Sequence, residues 1–438
     1  MISLCIAGRE AERMANVGTW SLWLLGLASS VASNSMLSNK CLYEPVILGV
    51  NLECLKSGDG DIIYPINEQV PVMSTSQDGA NTTTATFGPW SFKPSCTDFI
   101  PSIQSELCVY TDRSFAGNRG ISIFTTPQIA DEFVRLRPFH DPAILAGINN
   151  PEGPWHPQNL PGRGIGLLAK TRIDPGERLM AYTPLLIMHQ HHQISIPVRE
   201  NFLRRAIEQL PDASKEQYLR LATIYGNSSV IVQDVIQTNA FEMQVGGEMH
   251  LAIFPEASRM NHDCAPNAQY YLDPLRLTHY VHAVRYISAG EELTIAYSSP
   301  LEFVSNRQRH LKESFRFTCG CSRCLAGKTA DAALAEMKSI EASLADWTKT
   351  STASTELAEK LIELYRQERL EGFLDTAYRH AALTYNAVGN SAQAKKYAQL
   401  AADSGAMKDG PEAPNVRGMK ELLKHPEKHW SWRRRMQR

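Results

Sequence analysis

The spacing of apolar and polar positions divides the chain into stretches of different period. Near the N-terminus, Leu22-Trp23-Leu24-Leu25-Gly26-Leu27-Ala28 is a short unbroken apolar run within residues 14–32. It is too short for the ~20 residues that cross a bilayer, but it suits the central region of a signal peptide. Arg9 and Arg13 supply a charged flank, diluted by Glu10 and Glu12, and small residues lead to a cleavage position after Ala32. The other readings are a frayed apolar leader, or an upstream start wrongly included before Met14.

From about 33 to 150 the chain is rich in Thr, Ser, Gly and Pro. Short β-like runs, Val46-Ile47-Leu48 and Ile121-Ser122-Ile123-Phe124, stand between turn signals, predicting a small irregular extension. Residues 151–161, with Pro154, Pro157 and Asn159, predict a linker. Between 198 and 226 the period turns helical, through Phe202, Leu203, Ala206, Ile207 and Leu210, then Tyr218, Leu221, Ala222 and Tyr225. A strand-rich stretch opens at Asn239-Ala240-Phe241, and Ser288-Ala289-Gly290 turns into a last apolar run ending on Tyr297. Beyond about 331 the pattern predicts helices over 332–347, 356–370, 373–388 and 391–402, with a stop and restart at Gly389-Asn390. The last two resemble one antiparallel tetratricopeptide-like pair, with Ala377, Ala381, Ala398 and Ala401 as small packing positions.

Composition narrows this picture. A chain of 438 residues suits about three domains, and 43% apolar with 21% charged residues suits packed cores. A formal net charge of −2 argues against general binding to phosphate backbones. The one local basic run, Trp432-Arg433-Arg434-Arg435, reads as a solvated end. His189, His191 and His192 have the look of a metal cluster but suit a solvated loop better. Asn81-Thr82-Thr83 and Asn227-Ser228-Ser229 are formal glycosylation sequons of little weight, and Ala326-Gly327-Lys328-Thr329 lacks the first glycine of a phosphate loop.

The nine cysteines fall into groups. Cys5 lies in the leader. Cys41, Cys54, Cys96 and Cys108 are numerous enough for two disulfides, with three possible connectivities. Cys264, Cys319, Cys321 and Cys324 supply four sulfurs, which suits a closed tetrahedral zinc site; the rival readings are disulfides or a redox pair at Cys321 and Cys324.

Four motifs stand in a telling order: Arg163-Gly164-Ile165-Gly166, Asn261-His262-Asp263-Cys264-Ala265-Pro266-Asn267, Gly290-Glu291-Glu292-Leu293-Thr294-Ile295-Ala296-Tyr297, and Phe317-Thr318-Cys319-Gly320-Cys321-Ser322-Arg323-Cys324. In this order they resemble the SET-domain protein lysine methyltransferases, with the post-SET spacing of the SET-and-MYND branch. Nothing in the N-terminal extension matches that branch's cysteine-rich MYND module. Asp263 and Ala265 depart from the usual serine and acidic residue, but neither is a liganding position.

The resemblance implies an α+β fold: a SET-type β-rich core over 162–300 with a helical insert at about 186–235, a zinc-bound post-SET segment over 301–327, and a C-terminal α-helical domain over 328–438. Residues 1–32, 33–150 and 151–161 remain as leader, extension and linker. It also implies methyl transfer from S-adenosylmethionine to a lysine of a histone or other protein. Tyr297 is then the catalytic tyrosine. Arg163, Gly164, Ile165, Gly166, Asn239, Asn261, His262 and Phe317 contact the cofactor, and Cys264, Cys319, Cys321 and Cys324 hold a structural zinc ion. The expected protein is a monomer, without sequence-specific nucleic-acid binding or a transmembrane span. An apolar leader points to the secretory pathway, whereas the family works in the nucleus or cytoplasm. Two other functions stand beside the enzyme: an inactive SET-like binding module, and a secreted, disulfide-bonded interaction protein.

Overall fold

The computed structural model describes residues 87–190 and 194–436. The leader, Cys5, Cys41, Cys54, Val46-Ile47-Leu48, the Asn81 sequon, His191 and His192 lie outside the described residues. The chain passes through β1 (Ser95–Cys96), β2 (Cys108–Asp112), the single turn α1 (Phe115–Asn118), β3 (Ile121–Thr125) and α2 (Pro127–Arg135). It continues into β4 (Trp155–Leu160), β5 (Gly164–Ala169), β6 (Arg178–Tyr182) and β7 (Leu186–His189). Helices α3 (Ile196–Glu208), α4 (Asp212–Leu219) and α5 (Ile231–Asn239) follow. Then come β8 (Phe241–Val245), β9 (Glu248–Ile253), β10 (Asn261–His262), β11 (Ala268–Asp273), β12 (Thr278–Ala283) and β13 (Glu292–Ile295). The C-terminal part is helical: α6 (Val304–Phe315), α7 (Ser322–Ala326), α8 (Lys328–Ala345), α9 (Thr355–Gln367), α10 (Leu374–Ala387), α11 (Ser391–Asp409) and α12 (Pro414–Lys424).

Three sheets form, ordered β1-β2-β3-β7-β9-β8, β10-β13-β5-β4 and β11-β12-β6. The first differs from expectation. Residues read as an irregular extension supply β1, β2 and β3, and β3 pairs in parallel with β7. Every residue of β2 and β3 is buried, so neither strand carries the alternation that marks a half-exposed one. The polar residues that made this stretch look loop-like are satisfied inside: Thr111 Oγ1 lies 2.7 Å from Ser122 Oγ, and Thr125 Oγ1 lies 3.0 Å from His250 Nε2. Arg119 ties the segment to the rest by a two-pronged bond to Glu256 at 3.0 and 2.8 Å. Cys96 and Cys108 stand opposite each other across β1 and β2 and are joined as a disulfide.

The expected linker is also a strand. Trp155 to Leu160 pairs antiparallel with Ala169 to Gly164 along its whole length. Pro157 is tolerated because β4 is the outer strand of its sheet. The insert begins later than expected, since Leu186–His189 is strand β7. His189 is buried there, its ring edge-on to His250 at 5.3 Å, and not part of a solvated loop. The first run read as helical, Phe202 to Leu210, falls largely in α3, but of the second only Tyr218 lies in α4, while Leu221, Ala222 and Tyr225 follow its end in irregular chain; α5 was not foreseen.

The C-terminal helices lie where the apolar spacing puts them, each shifted by a few residues. Ala377, Ala381, Ala398 and Ala401 are all buried, letting α10 and α11 approach closely. Helix α12, with Val416, Met419 and Leu422 inside, was not read from the pattern. The helical part packs on the β-rich core: Cβ atoms built at Gly372 and Gly410 would meet Val284 at 3.5 Å and Tyr271 at 3.1 Å. Arg323 joins the two from the α7 turn, donating to the Cys264 and Pro300 carbonyls at 3.1 and 2.8 Å and to Glu368 at 3.0 Å. Among the described residues no helix is long and apolar enough to cross a membrane.

His279 is buried among Phe241, Phe254 and Tyr270, with ring centroids 4.6, 5.0 and 4.7 Å away, and neither ring nitrogen has a hydrogen-bond partner. Burial pulls its pKa down to about 3, and burial does the same to His250. The unfolded chain therefore binds protons below its ordinary pKa of about 6.5 that the folded chain refuses, so stability is lost as pH falls below that value. Between pH 7 and pH 5 the two groups together remove about 4 kcal/mol, read as a falling denaturant midpoint. His279→Phe is expected to recover about half of that loss; an unchanged pH dependence in this variant would refute the assignment.

Candidate functional site

The site forms where two distant pieces of chain run side by side. Met260 is fully buried, and Asn261 and His262 pair in parallel with Thr294 and Ile295 of β13. The pairing is reinforced by side chains. The Asn267 amide accepts from Thr294 N–H at 2.8 Å and donates to the Glu292 carbonyl at 2.8 Å, imitating a strand neighbour. Asp263 Oδ1 accepts from Ala265 N–H at 2.7 Å, turning the chain so that Cys264 points inward.

Tyr297 lies just past β13. Its backbone N–H donates to His262 Nδ1 at 2.9 Å, and its hydroxyl donates to the Met260 carbonyl at 2.7 Å. Because Nδ1 accepts, the His262 proton sits on Nε2, 3.2 Å from Cys264 Sγ. Burial pulls the His262 pKa down to about 3, so the ring stays neutral. Burial pushes the Tyr297 pKa well up, so its hydroxyl keeps its proton. Phe315 and Phe317 complete an aromatic wall, Phe315 4.8 Å from the Tyr297 ring and Phe317 6.0 Å from His262.

On the other side stands the glycine motif. Gly164 has φ +69°, a region that disfavours side chains. A Cβ on Gly166 would come 2.5 Å from Leu160, 2.8 Å from Glu292 Oε1 and 3.0 Å from Asn261 Nδ2, so only glycine lets those groups lie over β5. Ile165 between them is 43% exposed. Glu292 binds the pieces together: it accepts from Asn261 Nδ2 at 2.8 Å and pairs with Arg163 Nη1 at 3.0 Å, while Arg163 Nη2 donates to the His262 carbonyl at 3.1 Å. Motif spacing placed Arg163, Gly164, Ile165, Gly166, Asn261, His262, Tyr297 and Phe317 in one site, and the structure brings them together. It missed Glu292, although that residue lies within a quoted motif, and Met260, whose carbonyl leaves no trace in sequence. Asn239 stands apart from this network: its amide donates to the Ala222 and Val235 carbonyls, both at 2.8 Å, holding the helical insert.

The four cysteines form a second cluster behind the aromatic wall. Their sulfurs all lie within 4.8 Å of one another, Cys264 and Cys324 at 3.6 Å, and none is in a disulfide. A tetrahedral site with zinc–sulfur bonds of about 2.3 Å would set the sulfurs about 3.8 Å apart, so this donor set fits such an ion. Helix α6 supports the cluster. The Gln308 amide brackets the Cys319 backbone, donating to its carbonyl at 2.7 Å and accepting its N–H at 3.0 Å. The buried Arg307 guanidinium reaches Cys324 Sγ at 3.9 Å. The other three thiols push Cys264 strongly up, whereas hydrogen bonding from Cys264 first, then Cys319, pulls Cys324 down to about 7. Four crowded sulfurs cannot all ionise without a countercharge, which is what a bound cation would supply.

The SET domain family matches residues 164–298. The chain is 32% identical over 165 residues to the histone-lysine N-methyltransferase set5 of Schizosaccharomyces pombe, covering 38% of this chain and 48% of that protein. It is 29% identical over 203 residues to the N-lysine methyltransferase SMYD2 of Bos taurus, covering 45% and 44%. It is 35% identical over 128 residues to the histone-lysine N-methyltransferase SMYD3 of Mus musculus, covering 28% and 27%. The chain thus spans about half, or less, of the length of these relatives. Residues 164–298, over which these motifs assemble, form a SET domain, and the chain is similar to named lysine methyltransferases near the SMYD branch.

Proposed function

We propose that this chain transfers a methyl group from S-adenosylmethionine to the side-chain amine of a lysine in a protein substrate, histone or other. The observation that carries it is the commitment of the Tyr297 hydroxyl proton to the Met260 carbonyl. The hydroxyl oxygen is left to accept an N–H from an incoming amine and so aim the nitrogen lone pair. A lysine amine with pKa near 10.4 is neutral in only about one part in a thousand at pH 7. Aromatic surroundings from Tyr297, Phe315 and Phe317 favour the neutral form by excluding water. The nitrogen then forms a bond to the methyl carbon as the carbon–sulfur bond breaks, and the proton on the product amine leaves to water.

S-adenosylmethionine supplies an electrophilic methyl on a sulfonium. Arg163, Asn261, His262, Phe317 and the backbone of Gly164, Ile165 and Gly166 would hold it, with Asn239 supporting the insert beside them. Zinc on Cys264, Cys319, Cys321 and Cys324 would fix Phe317, which precedes Cys319 by two residues. The inactive-module and secreted-protein readings are not favoured, since Tyr297, Asn261, His262 and Phe317 are all present and together. Similarity to named histone-lysine methyltransferases favours the nucleus or cytoplasm, and the free quartet suits a reducing compartment, whereas the Cys96–Cys108 pair suits an oxidising one.

Three outcomes are expected. Tyr297→Phe lowers methyl transfer to a mixed histone substrate by about a hundredfold or more, while calorimetric binding of S-adenosylmethionine and zinc content stay near wild type. The rate of transfer rises about tenfold per pH unit between pH 6 and 8, because deprotonated amine is the reactive form and Tyr297, its pKa raised, does not ionise in that range. Chelation of the metal, or Cys319→Ser, weakens cofactor binding together with transfer, and added zinc restores the chelated wild type. Absence of cofactor binding in a folded, zinc-loaded sample would overturn the proposal.

A further inference from the structure

The basic end of the chain is not a loose solvated tail. The Arg433 and Arg435 N–H groups donate to the Asn386 and Ala387 carbonyls at 3.1 and 3.0 Å. The Arg435 guanidinium caps the Leu344 and Asp346 carbonyls at 2.8 and 3.1 Å and lies 4.2 Å from the Trp347 ring centroid. Asn386 and Ser431, both fully buried, join the last turn to α10 through a 2.8 Å hydrogen bond. The Gly389 turn is covered as well: a Cβ there would meet Arg433 at 3.2 Å and Met436 at 3.3 Å.

What this rigid end presents is unusual for the molecule. Residues 414–436 carry seven Lys or Arg against two Glu, in a chain whose net charge is −2. Helix α12 buries Val416, Met419 and Leu422, so Arg417, Lys420 and Lys424 form a stripe along its solvent face, and Lys428, Arg433 and Arg434, in the turns that follow, are exposed as well. Trp430 is 51% exposed, packed edge-on against Trp347 at 4.7 Å, with the Arg434 guanidinium 5.9 Å from its ring centroid. A single half-exposed indole is ordinary by itself; what sets this one apart is the cationic surroundings it stands in.

We propose that this surface binds a single-stranded polynucleotide, the basic stripe following the phosphates and Trp430 stacking on a base. Spread positive charge beside a half-exposed indole is the chemistry such a strand requires, and no sequence code is needed because every base has a flat face. A duplex offers phosphates but hides its base faces, and an acidic peptide has no use for the indole. The proposal does not depend on the activity of the SET domain.

The test is fluorescence anisotropy of a labelled oligo(U) of about 12 nucleotides, titrated at low salt with the full chain. Micromolar binding is expected. Trp430→Ala should weaken it about tenfold and Trp430→Phe should largely retain it. Replacing Lys424, Lys428, Arg433 and Arg434 by Gln should weaken it by about tenfold or more and flatten its salt dependence. Unchanged zinc content and unfolding midpoint would show that these exposed substitutions leave the fold intact. The proposal is overturned by no binding, by a duplex of equal length binding as well with no effect of Trp430→Ala, or by polyglutamate displacing the oligonucleotide at equal charge concentration, which would mark an acidic protein partner.

Discussion

The parallel pairing of Asn261 and His262 with Thr294 and Ile295 is the constraint on which the rest of the site depends. Two residues of strand are too few to hold two chain segments by backbone bonds alone. The Asn267 amide, the Tyr297 N–H and the Glu292 carboxylate each add a bond across the junction, and each is also part of, or next to, the candidate chemistry. The candidate cofactor contacts Asn261 and His262, the Tyr297 hydroxyl and Cys264 of the sulfur quartet are therefore placed by one small crossing. A shift of one residue in that register would separate Tyr297 from Met260 and turn Cys264 away from its three partners.

Around this crossing the molecule is built from segments that sequence distance would keep apart. The six-stranded sheet takes half of its strands from residues before 126, and the C-terminal helices brace the cysteine cluster through Arg323 and Glu368. Arg323 is nearly fully buried, and removing its carbonyl and carboxylate partners would strand a charge. The helical part thus touches the site through the cysteine cluster as well as by packing on the sheets.

Much of the site was legible because its residues are specified by chemistry at close spacing: a glycine that admits no Cβ, four sulfurs, a tyrosine after a turn. The C-terminal helices were legible from their apolar period. What stayed hidden follows from physics that leaves no local pattern. β2 is buried on both faces and carries a Thr whose partners lie elsewhere in the fold, so it looked like loop, and β3, although its Ile121-Ser122-Ile123-Phe124 run read as β-like, carried no sign of the sheet it joins. β4 holds a proline that an inner strand would exclude but an edge strand accepts. Glu292 and Met260 act through a carboxylate and a carbonyl whose value depends on where the chain folds back. His189 seemed solvated beside two other histidines, yet it ends a buried strand.

The Cys96–Cys108 disulfide and the four free sulfurs occupy one folding unit. Among the described residues an oxidant able to close the first pair meets the crowded quartet as well, where Cys324 is pulled below the ordinary thiol range by its neighbours. Coordination to a metal would withdraw those thiolates from oxidation. If the quartet takes up a metal, ion capture and oxidation of the Cys96–Cys108 pair would compete for the same window, and the order of the two would decide which sulfurs remain free.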